Sequence, residues 1–307
     1  MAKQKENGMA FEWAVGKAIA SITQFPIVDD NFSRIPHVCY EEKISDKKRQ
    51  IFDRAALVAV QHILAKENVA VWDKSTSVIQ FNSDAAGQGG DVRDLIIKNK
   101  TNQLGISCKA NHEALKHPRL SGSLDFIKKW GLSEGGCSAS YWASIKPIFT
   151  ELSNIKKTSK GQATWEDLPD KPDRFYWPIL DAWESEIKRT IAESSDAEEL
   201  ICKNFITYLI GKYDFYKVMC KGSDRVDLQA FNFSGALSTR QTKFPTVINL
   251  INNKNGGVYS KTIVFNHGYS INFRIHSASS KVESSLKFDI NAIGLPASDV
   301  YQQTFDL

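Results

Sequence analysis

Cysteine is scarce in this sequence: there are five, an odd number, and no two stand at a paired spacing. That argues against a disulfide framework and a zinc finger, and it suits a reducing compartment. No run of about 18 apolar residues is present, so no segment has the length to span a membrane as a helix. The opening residues, MAKQKENGMAF, form no apolar signal region. Together these absences predict a soluble, intracellular, cytoplasmic protein with no membrane partner. An excess of one charge is also lacking: 39 Lys and Arg against 35 Asp and Glu give a net charge of +4. A pI near 8.6 suits an anionic partner without requiring one. At 307 residues, 42% of them hydrophobic, the chain can bury a substantial core in one large domain or two.

What is present is concentrated in Gly87 to Leu120, GQGGDVRDLIIKNKTNQLGISCKANHEALKHPRL. A glycine turn, an apolar run Leu95–Ile97, the polar turn KNKTNQ and a second run from Leu104 to Ser107 predict a hairpin. Asp94 then stands at the mouth of one strand, and Lys109 on its neighbour. An acid and a lysine at the ends of paired strands are the parts of a nuclease metal site. The carboxylate holds a divalent cation, and the ammonium steadies the attacked phosphate or the attacking water. The usual pattern places Asp or Glu two residues before the lysine, and here that position is Ser107. Mg²⁺ takes oxygen ligands, so another acid must come from elsewhere. Glu113, Asp125, Asp91 and, from the first helix, Glu12 are the candidates. From Arg93 to Lys129 eight Lys or Arg face three acids, so the basic excess surrounds this stretch.

Taken in order, residues 8 to 24 carry apolar side chains at helical spacing and predict an amphipathic helix. Glu12 lies beside its apolar face, as a surface acid near the helix start or as a metal ligand. Residues 25 to 46, with Pro26 and Pro36, read as a connection, and a second helix is expected from Asp46 to Glu67. VAVW at 69–72 and SVIQF at 77–81 read as a hairpin. After Lys109 a polar, basic segment is expected to begin on a helix. It offers Asn111, His112, Glu113, Lys116, His117 and Arg119 to a DNA groove. Arg or Lys can donate to guanine O6 and N7 and an acid can accept from cytosine N4, although phosphate contacts and plain surface charges use the same residue types. His112 and His117 lack a third ligand at metal spacing. Helices are expected near 177–194 and 196–211. From Tyr213 onward short apolar runs separated by turns predict a β-rich region. There the alternation in Ile271–Ser277 puts Asn272, Arg274 and His276 on one face, and Lys281 follows. That face suits a grip on the far side of a duplex, or plain solvation.

Three blocks resemble the HaeIII type of restriction endonuclease, which cuts duplex DNA at GGCC: residues 7–19, 89–121 and 273–296. They lie at the start, middle and end of the chain. The resemblance implies a Mg²⁺-dependent phosphodiesterase on the restriction-endonuclease-like core of the PD-(D/E)XK nucleases. Ser107-Cys108-Lys109 is similar to a variant in which a Ser-x-Lys strand works with a glutamate from a following helix. Gly8-x-x-Phe11-Glu12 resembles the pattern that brings an extra acid from a first helix. The resulting expectation is an α/β (α+β) fold, with a mixed central sheet flanked by helices and a β-rich C-terminal region. Residues 1–212 would form the catalytic core, and 213–307 would pack on it and contact DNA. Asp94, Lys109, Ser107 and Glu12 would be catalytic, with Asp94, Asp91, Glu12 or Glu113 on the metal. A cognate DNA methyltransferase is implied as functional partner, and a homodimer is an option for a palindromic site. A binding protein with a decayed metal site and a repair or nicking nuclease fit the same residues.

Overall fold

The computed structural model describes residues 2–83, 90–111, 115–194, 197–253, 259–277 and 279–307. In chain order, helices α1 (Ala2–Thr23), α2 (Asn31–Val38) and α3 (Asp46–Lys66) come first. Strands β1 (Val78–Phe81), β2 (Leu95–Lys98), β3 (Gln103–Ala110) and β4 (Arg119–Leu120) follow. Then come helices α4 (Phe126–Lys129), α5 (Ala139–Thr158), α6 (Trp177–Glu193) and α7 (Glu198–Ile210). The rest is β: β5 (Phe215–Lys221), β6 (Arg225–Phe231), β7 (Ile248–Asn253), β8 (Ser260–Phe265), β9 (Ser270–His276), β10 (Leu286–Gly294) and β11 (Tyr301–Asp306). The fold is α/β, as the sequence predicts. No helix among the described residues is long and apolar enough to cross a membrane, and all five cysteines are free.

The chain forms two compact units, interleaved along the sequence. The first comprises Met1–Glu113, Gly211–Lys243 and Ala297–Leu307, and the second Ala114–Ile210 and Phe244–Pro296. Residues 213–307 therefore contribute to both units. The topology explains why. In the first unit the strand order is β1-β2-β3-β5-β6-β11, with β3 and β5 parallel and the other neighbours antiparallel. Parallel neighbours need a long crossover. Here the β3-to-β5 connection holds one part of the second unit, and the β6-to-β11 connection holds the other.

One face of this mixed sheet is apolar because strand side chains alternate. Leu95, Ile97, Ile106, Cys108, Val218 and Leu228 join Phe11, Val15 and Ile19 of α1 and Ala56, Ala59 and Ile63 of α3 in one core. Ser45 caps α3 by accepting from Lys48 N. Two local expectations are corrected. Residues 25–46 are not a plain connection, since Asp30 and Ser33 form a capping box that starts α2 and carries it through Pro36. VAVW is not a strand. Asn68 adopts a left-handed φ of 49° and Val69–Val71 make a 3₁₀ turn, so β1 takes β2 as its partner instead.

In the second unit the sheet is antiparallel, in the order β4-β10-β9-β8-β7. Trp183 of α6 is fully buried and meets Trp130, the residue after α4, and Phe273 and Phe288 of β9 and β10. At the start of α5, Ser138 donates from both its backbone N and its Oγ to Glu186 of α6.

Candidate active site

The expected hairpin forms. Asn99 Oδ1 accepts from the backbone N of Thr101 and Asn102, closing the turn between β2 and β3, and the strands pair with Leu95 opposite Ile106. That register brings Asp94 level with Ser107, where Asp94 N donates to Ile106 O at 2.9 Å. Three donors then meet one carboxylate oxygen, Asp94 Oδ2: Ser107 Oγ at 3.0 Å, Cys108 N at 2.6 Å and Lys109 Nζ at 3.4 Å. Among the described residues none donates to Oδ1. Asp94 and Lys109 keep 24% and 30% of their side-chain surface, so the pair is sheltered but reachable.

Burial alone would push the Lys109 ammonium down, but the charges of Asp94 and then Glu12 outweigh it and hold its pKa above the ordinary value. Lys109 is therefore a cation at neutral pH, suited to offsetting negative charge rather than to taking a proton. Glu12 acts on the Cys108 thiol in the same way. Burial and then Asp94 and Glu12 push that thiol well up, leaving it an unreactive SH. So α1 brings Glu12's charge to the same two residues that Asp94 touches.

Asp91 is held differently. Arg93 donates from Nε and Nη2 to its two oxygens at 2.7 and 2.8 Å, and the guanidinium lies 4.0 Å from the centre of the Tyr213 ring. Burial would raise Asp91, but Arg93 outweighs it and keeps the carboxyl below its ordinary value. Gly105 makes room for this pair: a Cβ there would lie 2.1 Å from Arg93 Cδ. Asn111, at a φ of 54°, accepts from Gly222 N at 2.7 Å, an arrangement that fixes the exit of β3. His112 and Glu113 lie outside the described residues.

The other sequence candidates belong to the second unit. The helix expected to begin after Lys109 would start on residues 112–114, which lie outside the described residues, and 115–120 lead into β4. Lys116 bridges Ile290, and Arg119 sits in β4 beside β10. Burial pushes the Lys116 ammonium down to about 8, and its Nζ lies 3.9 Å from the centre of the Tyr208 ring. Arg119 donates to Ser285 and pairs with Glu283. Lys281 donates to Gln162. Asp125 caps α4, accepting from Lys128 N and Cys137 N. Asn272 is buried and donates to Ser260 and Thr262, so only Arg274 and His276 of that face keep appreciable exposure.

Asp289, which the sequence reading missed, organises this region. Arg274, His276, His117 and Lys287 approach its carboxylate within 2.8, 2.7, 2.5 and 3.3 Å. The signal was the pairing of two alternating strands, with Arg274 directly opposite Asp289. Burial raises the Asp289 carboxyl, but Arg274 and His276 outweigh it and leave it far below the ordinary range. A depressed carboxyl contributes stability above its unfolded value near ~4, and that stability is lost as pH falls. Burial likewise lowers His117, and protonating it in acid has the same sign. Thermal melting should therefore show Tm falling by more than about 4 °C from pH 5 to pH 3. Asp289→Asn should flatten that slope, and an unchanged slope would refute the role given to Asp289.

The family model for HaeIII restriction endonuclease matches residues 8–296. The chain is 31% identical over 320 residues, covering 98% of each chain, to the "Type II restriction enzyme HaeIII" of Haemophilus aegyptius. No solved structure matches.

Proposed function

The chain belongs to the HaeIII restriction endonuclease family and is a type II site-specific deoxyribonuclease, and from that premise we propose that it cuts double-stranded DNA at GGCC with Mg²⁺ as cofactor. The observation that carries the siting of the chemistry is the convergence of Ser107 Oγ, Cys108 N and Lys109 Nζ on one oxygen of Asp94.

The residues fit a hard cation. Among the described residues none donates to Asp94 Oδ1, and Glu12 supplies a second hard oxygen source whose charge reaches Lys109. No group of three His, Cys, Asp or Glu that could hold a metal exists among the described residues. Asp94 and Glu12, with Glu113 as a further candidate, would therefore hold the ion together with water and phosphate oxygens. Asp91, engaged by Arg93, is assigned to support of the loop before β2. A divalent cation in this position lowers the pKa of water and offsets charge on the leaving oxyanion. Lys109 holds a phosphate oxygen and opposes the charge that grows on it as water attacks phosphorus. Ser107 keeps Asp94 aimed, in the place where the usual pattern has an acid. Duplex contacts are assigned to Asn111, His112, Lys116, His117, Arg119, Arg274, His276 and Lys281, the first through the β3 exit that it fixes. A cytoplasmic setting, a cognate methyltransferase protecting host DNA and a homodimer on a palindromic site complete the proposal.

The test is digestion of a long linear DNA of known sequence, with Mg²⁺ and with EDTA. Discrete fragments whose ends fall in GGCC are expected with Mg²⁺, and intact DNA with EDTA. Discrete fragments ending elsewhere would overturn the specificity alone. Intact DNA at high protein concentration, with a clear gel shift, would leave a DNA-binding protein.

A further inference from the structure

The polar face of the second unit's sheet is built in rows. Arg274 of β9 lies directly opposite Asp289 of β10, and His276 lies opposite Lys287. Residues two apart on a strand share a side, so all four project from one face. Phe273, Ile275, Phe288 and Ile290 line the other face and are buried. Asp289 is held from both sides. Arg274 and His276 approach Oδ2 within 2.8 and 2.7 Å, and His117 and Lys287 approach Oδ1 within 2.5 and 3.3 Å. A carboxylate fixed through both oxygens has one orientation, and so has the guanidinium bonded to it.

The partners are not equivalent. His276 has a neighbour at each ring nitrogen: Nδ1 lies 2.7 Å from Ser277 O and Nε2 2.7 Å from Asp289 Oδ2. The Arg274 side chain is 45% exposed. Among the described residues it makes one hydrogen bond, from Nη2 to Asp289 Oδ2 at 2.8 Å. Nη2 carries two hydrogens, one toward Nε and one toward Nη1. Whichever of them Asp289 takes, the other edge of the guanidinium fork stays open. An aimed, exposed edge with two parallel N–H donors matches the paired O6 and N7 acceptors of guanine. A phosphate contact asks less, because a mobile lysine can supply it as a point charge. We propose that Arg274 reads a guanine of the recognition site through O6 and N7, and that Asp289 is the positioning residue that aims it. The proposal rests on the reading of the chain as a nuclease specific for GGCC, and it narrows the duplex contact given to Arg274 to a base edge.

The test compares full-length wild type, Arg274→Met and Asp289→Asn on duplexes carrying the site mapped by digestion, or GGCC if nothing is cut. In the altered duplexes 7-deazaguanine replaces each guanine in turn; it pairs normally and lacks only the N7 acceptor. Kd in EDTA and single-turnover cleavage with Mg²⁺ are measured on each duplex, and the guanine preference is the larger of the two ratios. Wild type should prefer guanine at one position by at least about 5-fold. That preference should vanish in Arg274→Met, and in Asp289→Asn it should fall by more than half while the protein still melts cooperatively. No preference by wild type at any guanine, or a mapped site without guanine, would overturn the proposal. So would an Arg274→Met that weakens on all duplexes by one factor and keeps the preference, which is the mark of a phosphate contact. A full preference in Asp289→Asn, or loss of its cooperative melt, would overturn the positioning role alone. Ends mapping outside GGCC would sink that specificity, and the guanines of the mapped site then decide the role of Arg274. A wild type that cuts nothing yet keeps the preference in Kd would sink the nuclease reading and leave Arg274 standing.

Discussion

Asp94→Asn and Lys109→Met should each lower the single-turnover rate of DNA cleavage by about 10³-fold or more, while the protein still melts cooperatively and still binds DNA. Removing one group that meets charge developing in a transition state costs about 10²–10³ in rate. Asp94 does more than that, because it is also the proposed anchor of the metal and accepts three hydrogen bonds through Oδ2. Asparagine keeps the shape and an acceptor, so the Ser107 and Cys108 contacts can persist while the charge goes. Lys109→Met keeps most of the apolar stem and deletes only the ammonium. The two variants should also differ from each other. Without Asp94 the rate should no longer respond to Mg²⁺, whereas without Lys109 the response should remain at a lower ceiling. Rate against Mg²⁺ concentration is the measurement. Wild-type cleavage by either variant would move the chemistry away from this hairpin.

Trp183→Ala should destabilise the protein by about 3–5 kcal/mol and lower Tm by roughly 10 °C. The indole is fully buried, with ring centres 6.3, 4.7 and 5.3 Å from those of Trp130, Phe273 and Phe288. Truncation would leave a cavity among rigid aromatic rings, which collapse poorly into it. Its Nε1–H meets no acceptor among the described residues, so a hydrocarbon of similar size loses packing but no hydrogen bond. Trp183→Phe should therefore cost about half as much or less. Melting curves of the two variants separate the packing effect from the polar one. Equal losses would mean that the indole nitrogen has an acceptor after all.

The hairpin that carries Asp94 and Lys109 was legible because its evidence is local. Leu95–Ile97 and Leu104–Ile106 alternate about a polar turn, and the register follows from the length of that turn. Helices α1, α3, α6 and α7 were legible from helical periodicity, and the position of Glu12 beside the first apolar stripe came with it. Misreadings arose where local preference and packing disagree. Val69–Val71 has β-forming residues, but it follows a left-handed Asn68 and closes a 3₁₀ turn, while β1 pairs with β2. Pro36 suggested an interruption, yet the capping box of Asp30 and Ser33 starts α2 ahead of it and the helix runs on to Val38 with the proline inside it.

What the sequence determined by itself was the class of fold, the family, the paired Asp94 and Lys109, and the serine where an acid is usual. These depend on periodicity, turns and residue identity within short windows. Tertiary structure decided the interleaving of the two units, the engagement of Asp91 by Arg93, the Asp289 cluster and the parallel pairing of β3 with β5. Each of these depends on which strand lies beside which. The β3–β5 pairing joins residues separated by most of the second unit, and a ladder register across such a gap is set by the packing of the whole sheet rather than by any local pattern.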